Sequence, residues 1–339
     1  MSFWSSSTAA PQWWHTLFPT KPGYLRITPA LTPQLSISMP KDLTIRRASI
    51  SSAEQIATFW NMYYRGTDWY MDVSVDWVAS YLRDPDVIVL YAHNAQLHIK
   101  ATIVSTPVSS TPVVMTHGAR ISLRCIEGLC VSDDMRGTGF AGTMIAAADY
   151  YTSQTQPQAH IWCRELPVDP GVFTTAASIK TYSYISGATA ATLSILNPVK
   201  IPWNEFASEW NPYRYIHSSR TTAAVIAESP MNRNGGIDVW NTEYNGRLYI
   251  TVVLHTKRRV LKTHQPIYEI IWSSGSNPYA YTAVSAQYKN GIVFTTDGEE
   301  SWKEHGWKYG CSGVHATYMY NYSPPGFRNC EYIMIREEI

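Results

Sequence analysis

The spacing of apolar positions changes several times along the chain. Leu43-Thr-Ile-Arg-Arg opens the ordered pattern as a strand, and Ser51-Ser-Ala-Glu reads as a capping box ahead of a helix from Ala53 to Tyr64. Asp68 to Met71 reads as a loop. Val75, Val78 and Leu82 recur at helical spacing, so Ser74 to Leu82 is predicted as a second helix, stopped by Asp84-Pro85. Val87 to Tyr91 and Leu97 to Val104 read as strands, followed by a turn-rich connector at Val108 to Pro112. Arg120 to Val131 is the next strand; it runs into Arg136-Gly-Thr-Gly and then a helical stretch with Phe140, Met144, Ile145 and Ala148 on one stripe. His160 to Cys163 reads as a strand, Ala176 to Tyr184 as a helix, and Thr189 to Leu196 as a strand.

A second αβ module of similar layout follows, without a clear internal repeat. After an aromatic linker from Trp203 to Tyr215, strands are predicted at Thr221 to Ala227, Gly236 to Trp240, Leu248 to His255 and Ile267 to Trp272. A helix at Ala280 to Lys289, a strand at Gly291 to Phe294, a short helix at Glu299 to His305, and strands at Thr317 to Tyr322 and Tyr332 to Ile335 complete the chain. Residues 1–40 are rich in Ser, Thr and Pro but carry Trp4, Trp13, Trp14 and Phe18, which favours an extended arm packed on the body. The expectation is an α/β fold with mixed sheets: the arm at 1–40, one module at 41–200 and a second at 201–339.

Composition narrows the function classes. Hydrophobic residues make up 45% of the 339 and charged ones 16%, against roughly 25% charged in an average soluble chain, which argues for packed domains over disorder. Thirteen Trp and 23 Tyr against 8 Phe suit amphipathic rings at cleft walls or contact surfaces. A net charge of +1 gives no bulk attraction to nucleic acid, and the short run Lys257-Arg258-Arg259 reads as a solvated edge. Five cysteines, Cys125, Cys130, Cys163, Cys311 and Cys330, are an odd number without CxxC spacing, which argues against a disulfide framework or a metal site and for thiols in a reducing, cytoplasmic setting. No apolar run reaches the roughly 18 residues of a membrane span. The start, Met-Ser-Phe-Trp, lacks a signal-peptide pattern, and Ser2 cannot itself accept an N-terminal myristoyl group.

The candidate chemistry lies between Ile121 and Tyr151. A helix N-terminus offers unpaired N–H groups and a positive dipole end to a phosphate. Gly137 and Gly139 let the backbone approach, Arg136 adds a charge, and the preceding strand with the following helix supplies the setting for a CoA pyrophosphate. An ordinary strand–turn–helix has the same outline. Along the strand, Ile121, Leu123, Cys125, Leu129 and Val131 share one face with a single acid, Glu127. Burial there raises a carboxyl pKa, as a general base for an amine requires. Gly128 marks a bulge that frees N–H groups near Leu129 to polarise a thioester carbonyl, or turns Glu127 out to solvent. The other reactive types read as structural. His160, His305 and His315 have no triad partner in the sequence, Cys163 lacks a His/Asn signature, and Asp297, Glu299 and Glu300 suit a helix start. The Trp69 to Met71 segment lines a substrate channel or packs on the core.

Several islands resemble the eukaryotic-type N-myristoyltransferases, a family with two GNAT modules in one chain. They are Phe3-Trp4, Trp69-Tyr-Met-Asp-Val-Ser, Leu129-Cys-Val-Ser-Asp-Asp-Met-Arg with Ala141, Leu166-Pro167, Trp307-Lys-Tyr-Gly, and Tyr318-Met-Tyr-Asn-Tyr. The order of predicted elements in the first module is also that of a GNAT fold. The resemblance implies acyl-CoA, above all myristoyl-CoA, as co-substrate, held by Phe3, Trp4, Cys130, Val131, Arg136, Gly137, Thr138, Gly139, Phe140 and Ala141. It implies an oxyanion hole from the N–H groups of Gly128 and Leu129, and a base in the C-terminal carboxylate of Ile339. The acceptor is then a protein's N-terminal glycine peptide, bound along Asp68, Trp69, Met71, Trp162, Cys163, Tyr318 and Tyr320 by a monomer. The chain departs from the family at several points. Glu127 replaces the family's Asn before the oxyanion pair, Gly137-Thr-Gly replaces basic residues, Cys163 falls on a family Thr, and Cys311-Ser-Gly replaces an acidic Gly-Asp-Gly. Glu127 then takes the base role, as in simpler GNAT enzymes that move shorter acyl chains to amines, or the fold persists as a binding or structural protein without chemistry.

Overall fold

The computed structural model describes residues 40, 42–107, 113–114, 120–121, 123–152, 159–165, 174–175, 180–186, 196–202, 236–275, 277–295 and 300–320. The arm at 1–39, the Val108 to Pro112 connector, the Trp203 to Tyr215 linker, the predicted strands at Thr221 to Ala227 and Tyr332 to Ile335, and positions 189–195 of another lie outside them.

Strand β1 (Thr44–Arg47) precedes helix α1 (Ala53–Tyr63), strand β2 (Trp69–Met71) and helix α2 (Val75–Leu82). Then come β3 (Ile88–His93), β4 (Ile99–Pro107), a two-stranded pair of β5 (Val113–Val114) and β6 (Arg120–Ile121), β7 (Leu123–Val131), α3 (Phe140–Thr152) and β8 (Ala159–Glu165). β9 (Thr174–Thr175), β10 (Lys180–Ser186), β11 (Val199–Ile201), β12 (Ile237–Tyr244), β13 (Arg247–Val260), β14 (Pro266–Ser273), α4 (Pro278–Ser285), β15 (Ile292–Thr295) and β16 (Lys308–Tyr320) follow. Apart from the β5–β6 pair, the strands join one mixed sheet ordered β1-β3-β4-β7-β8-β16-β10-β15-β14-β13-β12-β11, with β2 paired to β13 and β9 to β16.

Alternation along β3 and β4 sorts side chains onto two faces. Val89 and Val104 pack with Ile56, Trp60, Val78 and Tyr81 of α1 and α2 on one face. On the other, Leu90, Ala101 and Ile103 pack with Phe140, Met144, Ile145 and Ala148 of α3, the stripe read from the sequence. Around α4, a third cluster gathers Val253, Ile270, Tyr281, Val284, Val293, Trp302 and Trp307.

Several sequence expectations need correcting. The capping exchange ahead of α1 uses Ser49 and Ser52: Ser49 N–H donates to Ser52 Oγ at 3.4 Å and Ser52 N–H to the Ser49 carbonyl at 2.8 Å. A short 3₁₀ turn, Ile50–Ser52, precedes the helix and moves the cap upstream. On α2 the buried face is Trp77, Val78, Ala79 and Tyr81, while Val75 is exposed. Helix α4 runs from Pro278 to Ser285; it starts there because Asn277 Oδ1 accepts the N–H groups of Tyr279 and Ala280. Asp68 to Met71 is not a loop throughout. Trp69, Tyr70 and Met71 pair antiparallel with Val260, Arg259 and Arg258. The predicted helix at Ala176 to Tyr184 is overturned where it is described, since Lys180–Ser186 is a strand. Thr181, Tyr182, Tyr184 and Ile185 favour extended backbone, and the segment finds antiparallel partners in β15 and β16. The basic run is not a solvated edge either. Arg258 lies 4.2 Å from the Trp69 ring centre, Arg259 pairs with Asp72, and Lys257 is half-buried.

Candidate functional site

The fold gives β7 two irregularities next to each other. It pairs parallel with β8 over Leu123, Arg124 and Cys125, opposite Ala159, His160 and Ile161. Beyond Cys125 no pairing to β8 continues, although β7 runs to Val131 and β8 to Glu165. The two strands diverge, and β7 presents Ile126 to Val131 along that side without a strand neighbour among the described residues. The second irregularity is a bulge on the β4 side. Thr102 stands opposite Cys130 and Val104 opposite Glu127, so Gly128 and Leu129 together face Ile103. Gly128 has φ +57°, the left-handed conformation that the sequence-predicted bulge requires.

The bulge is pinned from α1. Trp60 Nε1 donates to Thr102 Oγ1 at 2.8 Å, and Thr102 Oγ1 donates to the Gly128 carbonyl at 3.1 Å. This fixes the peptide beside Glu127. Glu127 itself turns inward and is 6% exposed. Its Oε1 accepts from Tyr81 Oη at 2.8 Å and from Thr106 Oγ1 at 2.6 Å. Burial pushes the Glu127 carboxyl pKa above its usual range, and the two hydroxyl donors pull the other way. Trp77 stacks on Tyr81 with ring centres 5.4 Å apart and holds that donor in place.

At the end of β7 a 3₁₀ turn, Asp133–Met135, leads through Gly137 (φ +78°) and Gly139 (φ +82°) into α3. A Cβ on Gly137 would meet nothing within 4 Å, so the backbone angle, not space, calls for glycine there. The Arg136 guanidinium is already engaged: it donates to the Tyr63 carbonyl at 2.9 Å and the Val131 carbonyl at 3.2 Å and lies 3.3 Å from Asp133. Asp133 also pairs with Arg65 at 2.9 Å, and Asp134 with Lys100 at 2.7 Å. The turn's charges therefore tie it to β4 and to the end of α1. Thr138 is exposed, Ala141 half-buried and Phe140 buried. Cys130 is a buried free thiol in the α1–α2 core, pushed up to about 12 chiefly by burial, and Val131 packs against the α3 cluster.

The other sequence-proposed positions fall in three places. Phe3, Trp4 and Ile339 lie outside the described residues. In the backbone of β8 and β16, Trp162 stands opposite Tyr318, Cys163 opposite Thr317 and His160 opposite Tyr320, one strand over from β7. Asp68 is exposed, and Trp69 lies against Tyr64 and Arg258. Met71 is fully buried in the α1–α2 core and so packs where a channel lining was expected. An open cleft of about 510 Å³ lies beside that segment, lined by Asp72, Val73, Ser74, Asp76, Trp77, Ser80 and Lys257.

Sequence reasoning missed Tyr81, Thr106 and Thr102, which reach β7 from other elements, and Trp60, which acts on it through Thr102. It also missed the surroundings of His160, whose Nε2 lies 2.9 Å from Thr152 Oγ1 and whose Nδ1 lies 3.3 Å from Asp149. Thr152 and Asp149 share one face of α3 at i and i+3, a spacing signal that points at no partner until β8 is placed. Among the described residues no group of three or more His, Cys, Asp or Glu is placed to hold a metal ion, and no helix is long and apolar enough to cross a membrane.

No family model matches the chain, and no curated protein matches it in sequence. Solved structures match it in fold. N-myristoyltransferase of Saccharomyces cerevisiae with bound myristoyl-CoA superposes with a TM-score of 0.59 at 11% identity, covering 94% of this chain and 88% of that one. The same enzyme with myristoyl-CoA and inhibitors gives 0.57 at 10% identity, covering 89% and 86%. A GCN5-related glucosamine N-acetyltransferase region of a fungal multi-domain β-N-acetylglucosaminidase gives 0.51 at 11% identity, covering 82% of this chain and 38% of that one. The chain has a mixed α/β, GNAT-like fold.

Proposed function

We propose that the chain is an acyl-CoA-dependent N-acyltransferase in which Glu127 is the general base. The observation that carries this reading is the position of Glu127: a buried carboxyl with a raised pKa, next to a left-handed bulge, on a strand that has just parted from its parallel neighbour. The divergence opens a slot in the sheet, and the turn through Gly137 and Gly139 lies at the end of the same strand. That arrangement suits a thioester in the slot and a pyrophosphate at the start of α3, where backbone N–H groups, more than the engaged Arg136, hold the phosphates. The likeness in fold to a structure with bound myristoyl-CoA supports acyl-CoA as the donor.

In this reading Gly128 and Leu129 N–H groups face the thioester carbonyl and stabilise the charge that develops on its oxygen. Glu127 takes the proton from the acceptor's ammonium, which becomes the nucleophile, and the thiol leaves with CoA. Tyr81 and Thr106 hold the carboxylate, and the Trp60–Thr102 chain holds the peptide that follows it. The acceptor is an amine, with the N-terminal glycine of a protein as the specific proposal and residues 41–200 and 201–339 as two GNAT-like modules. Trp69 and residues of β8 and β16 belong to the acceptor side. One observation favours a second reading, a GNAT enzyme moving a shorter chain: Glu127 supplies an internal base and makes the C-terminal carboxylate of Ile339 dispensable.

Native mass spectrometry of the purified chain with acetyl-CoA and myristoyl-CoA separates the readings. Retention of either supports the donor assignment, the longer chain favours the first reading, and transfer to a glycine-started peptide completes it. Retention of neither overturns both.

A further inference from the structure

We propose that Lys257 is a self-acylation site: its side-chain amine, on the wall of the cleft beside α2, takes the acyl group of an acyl-CoA. The inference rests on the acyl-CoA reading above, and it does not require Glu127 as the base. Lys257 sits where β13 loses register with β14, between His255 and Arg258, with φ +56°, a conformation rare for a side chain of its size. Its carbonyl accepts the Asp72 N–H at 2.8 Å, which fixes this bulge against the segment leading into α2. Of the three consecutive cations, Arg258 is spent on the Trp69 ring and Arg259 on Asp72. Lys257 has no ion pair among the described residues and lines the 510 Å³ cleft with Asp72, Asp76, Trp77 and the serines Ser74 and Ser80.

Burial at this position favours the neutral amine: Lys257 is half-buried, which lowers its pKa. Asp72 is turned to Arg259, which leaves Asp76, in the exposed first turn of α2, as the facing acid. A lysine with more of its free base at neutral pH is the better nucleophile toward a thioester. The cleft also shares a wall with the proposed acyl site. Trp77 lines it and stacks on Tyr81, whose hydroxyl is bound to Glu127. In the reaction the neutral nitrogen adds to the thioester carbonyl, the C–S bond breaks, and the proton lost by nitrogen ends on the CoA thiol. An amide remains on Lys257, and its charge is gone.

The test uses the full chain with three probes: acetyl-CoA, myristoyl-CoA and N-acetoxysuccinimide, which needs no CoA site. Peptide mapping by tandem mass spectrometry compares Lys257 with the exposed Lys262 and Lys289. The expected result is modification of Lys257 by at least one acyl-CoA and by the succinimide ester, several-fold faster than at either reference lysine. Lys257→Arg, which keeps the charge, removes the fast phase and leaves Lys262 and Lys289 labelling at their former rates. Labelling of Lys257 no faster than the references overturns the proposal. So does fast labelling by the succinimide ester alone, while a chain that still acylates an added peptide keeps the transferase reading standing. Lys257 untouched by acyl-CoA in a chain that also fails to bind it counts against both.

Discussion

At the scale of single residues, opposing forces act on Glu127. Burial raises its pKa, and hydrogen bonds from Tyr81 and Thr106 lower it, with burial dominant. Removing one donor without emptying the space shifts the balance further. Tyr81→Phe keeps the ring stacked on Trp77 and removes the hydroxyl. The rising limb of kcat/KM against pH should then move to higher pH, with a stability cost of about 1 kcal/mol. An unmoved limb would take Tyr81 out of the base's surroundings. The same carboxyl has a signature in stability. Its folded pKa stands above the unfolded value near 4.5, so its contribution is full below that value and is lost as pH rises through the folded pKa. Glu127→Gln, lacking that loss, should melt higher than the parent at alkaline pH, with the difference closing toward pH 4.5. A difference that stays constant with pH would contradict a buried titrating group. The sequence made Glu127 visible as the one acid among apolar alternate positions of a strand, but the bulge turns Leu129 and Val131 to the α3 face while Glu127 meets Tyr81 on the α1–α2 side. Tyr81 and Thr106 stayed hidden because they lie 46 and 21 residues away, and no local spacing encodes that meeting.

At the scale of elements, the stretch from β7 through α3 was the most legible. Its strand, glycine bulge, glycine turn and apolar stripe are local features, and each appears in the structure. Gly137 shows what the turn demands. With open space around its missing Cβ and φ +78°, Gly137→Val should cost about 1–2 kcal/mol by conformation alone, measured by thermal or denaturant unfolding. A valine variant as stable as the parent would mean the turn can relax. The less legible elements are those whose state is set by distant partners. Lys180–Ser186 carries an ambiguous pattern, and pairing with β15 and β16 decides it. Trp69–Met71 looks like a loop until β13 supplies its hydrogen-bonding edge.

At the scale of the whole molecule, the sheet runs unbroken from β1 to β11, and the β8–β16 and β2–β13 pairings join the first half of the chain to the second. The arm and the carboxyl tail fall outside the described residues, so their proposed roles rest on resemblance. Glu127 instead lies inside the described core, and this gives a direct contrast: deletion of residues 337–339 should leave acyl transfer within a few-fold of the full chain, whereas a loss comparable to removing a general base would return that role to the tail. The central claim, that an acyl group is moved to an amine with Glu127 taking the proton, is tested most directly by single-turnover transfer from whichever acyl-CoA the protein retains. Rates are measured across pH for the parent and for Glu127→Gln. The account predicts a parent rate that rises through a midpoint above the usual carboxylate range, and a variant about 10²–10⁴-fold slower with that rise gone. A variant that keeps both the rate and the pH dependence of the parent would contradict it.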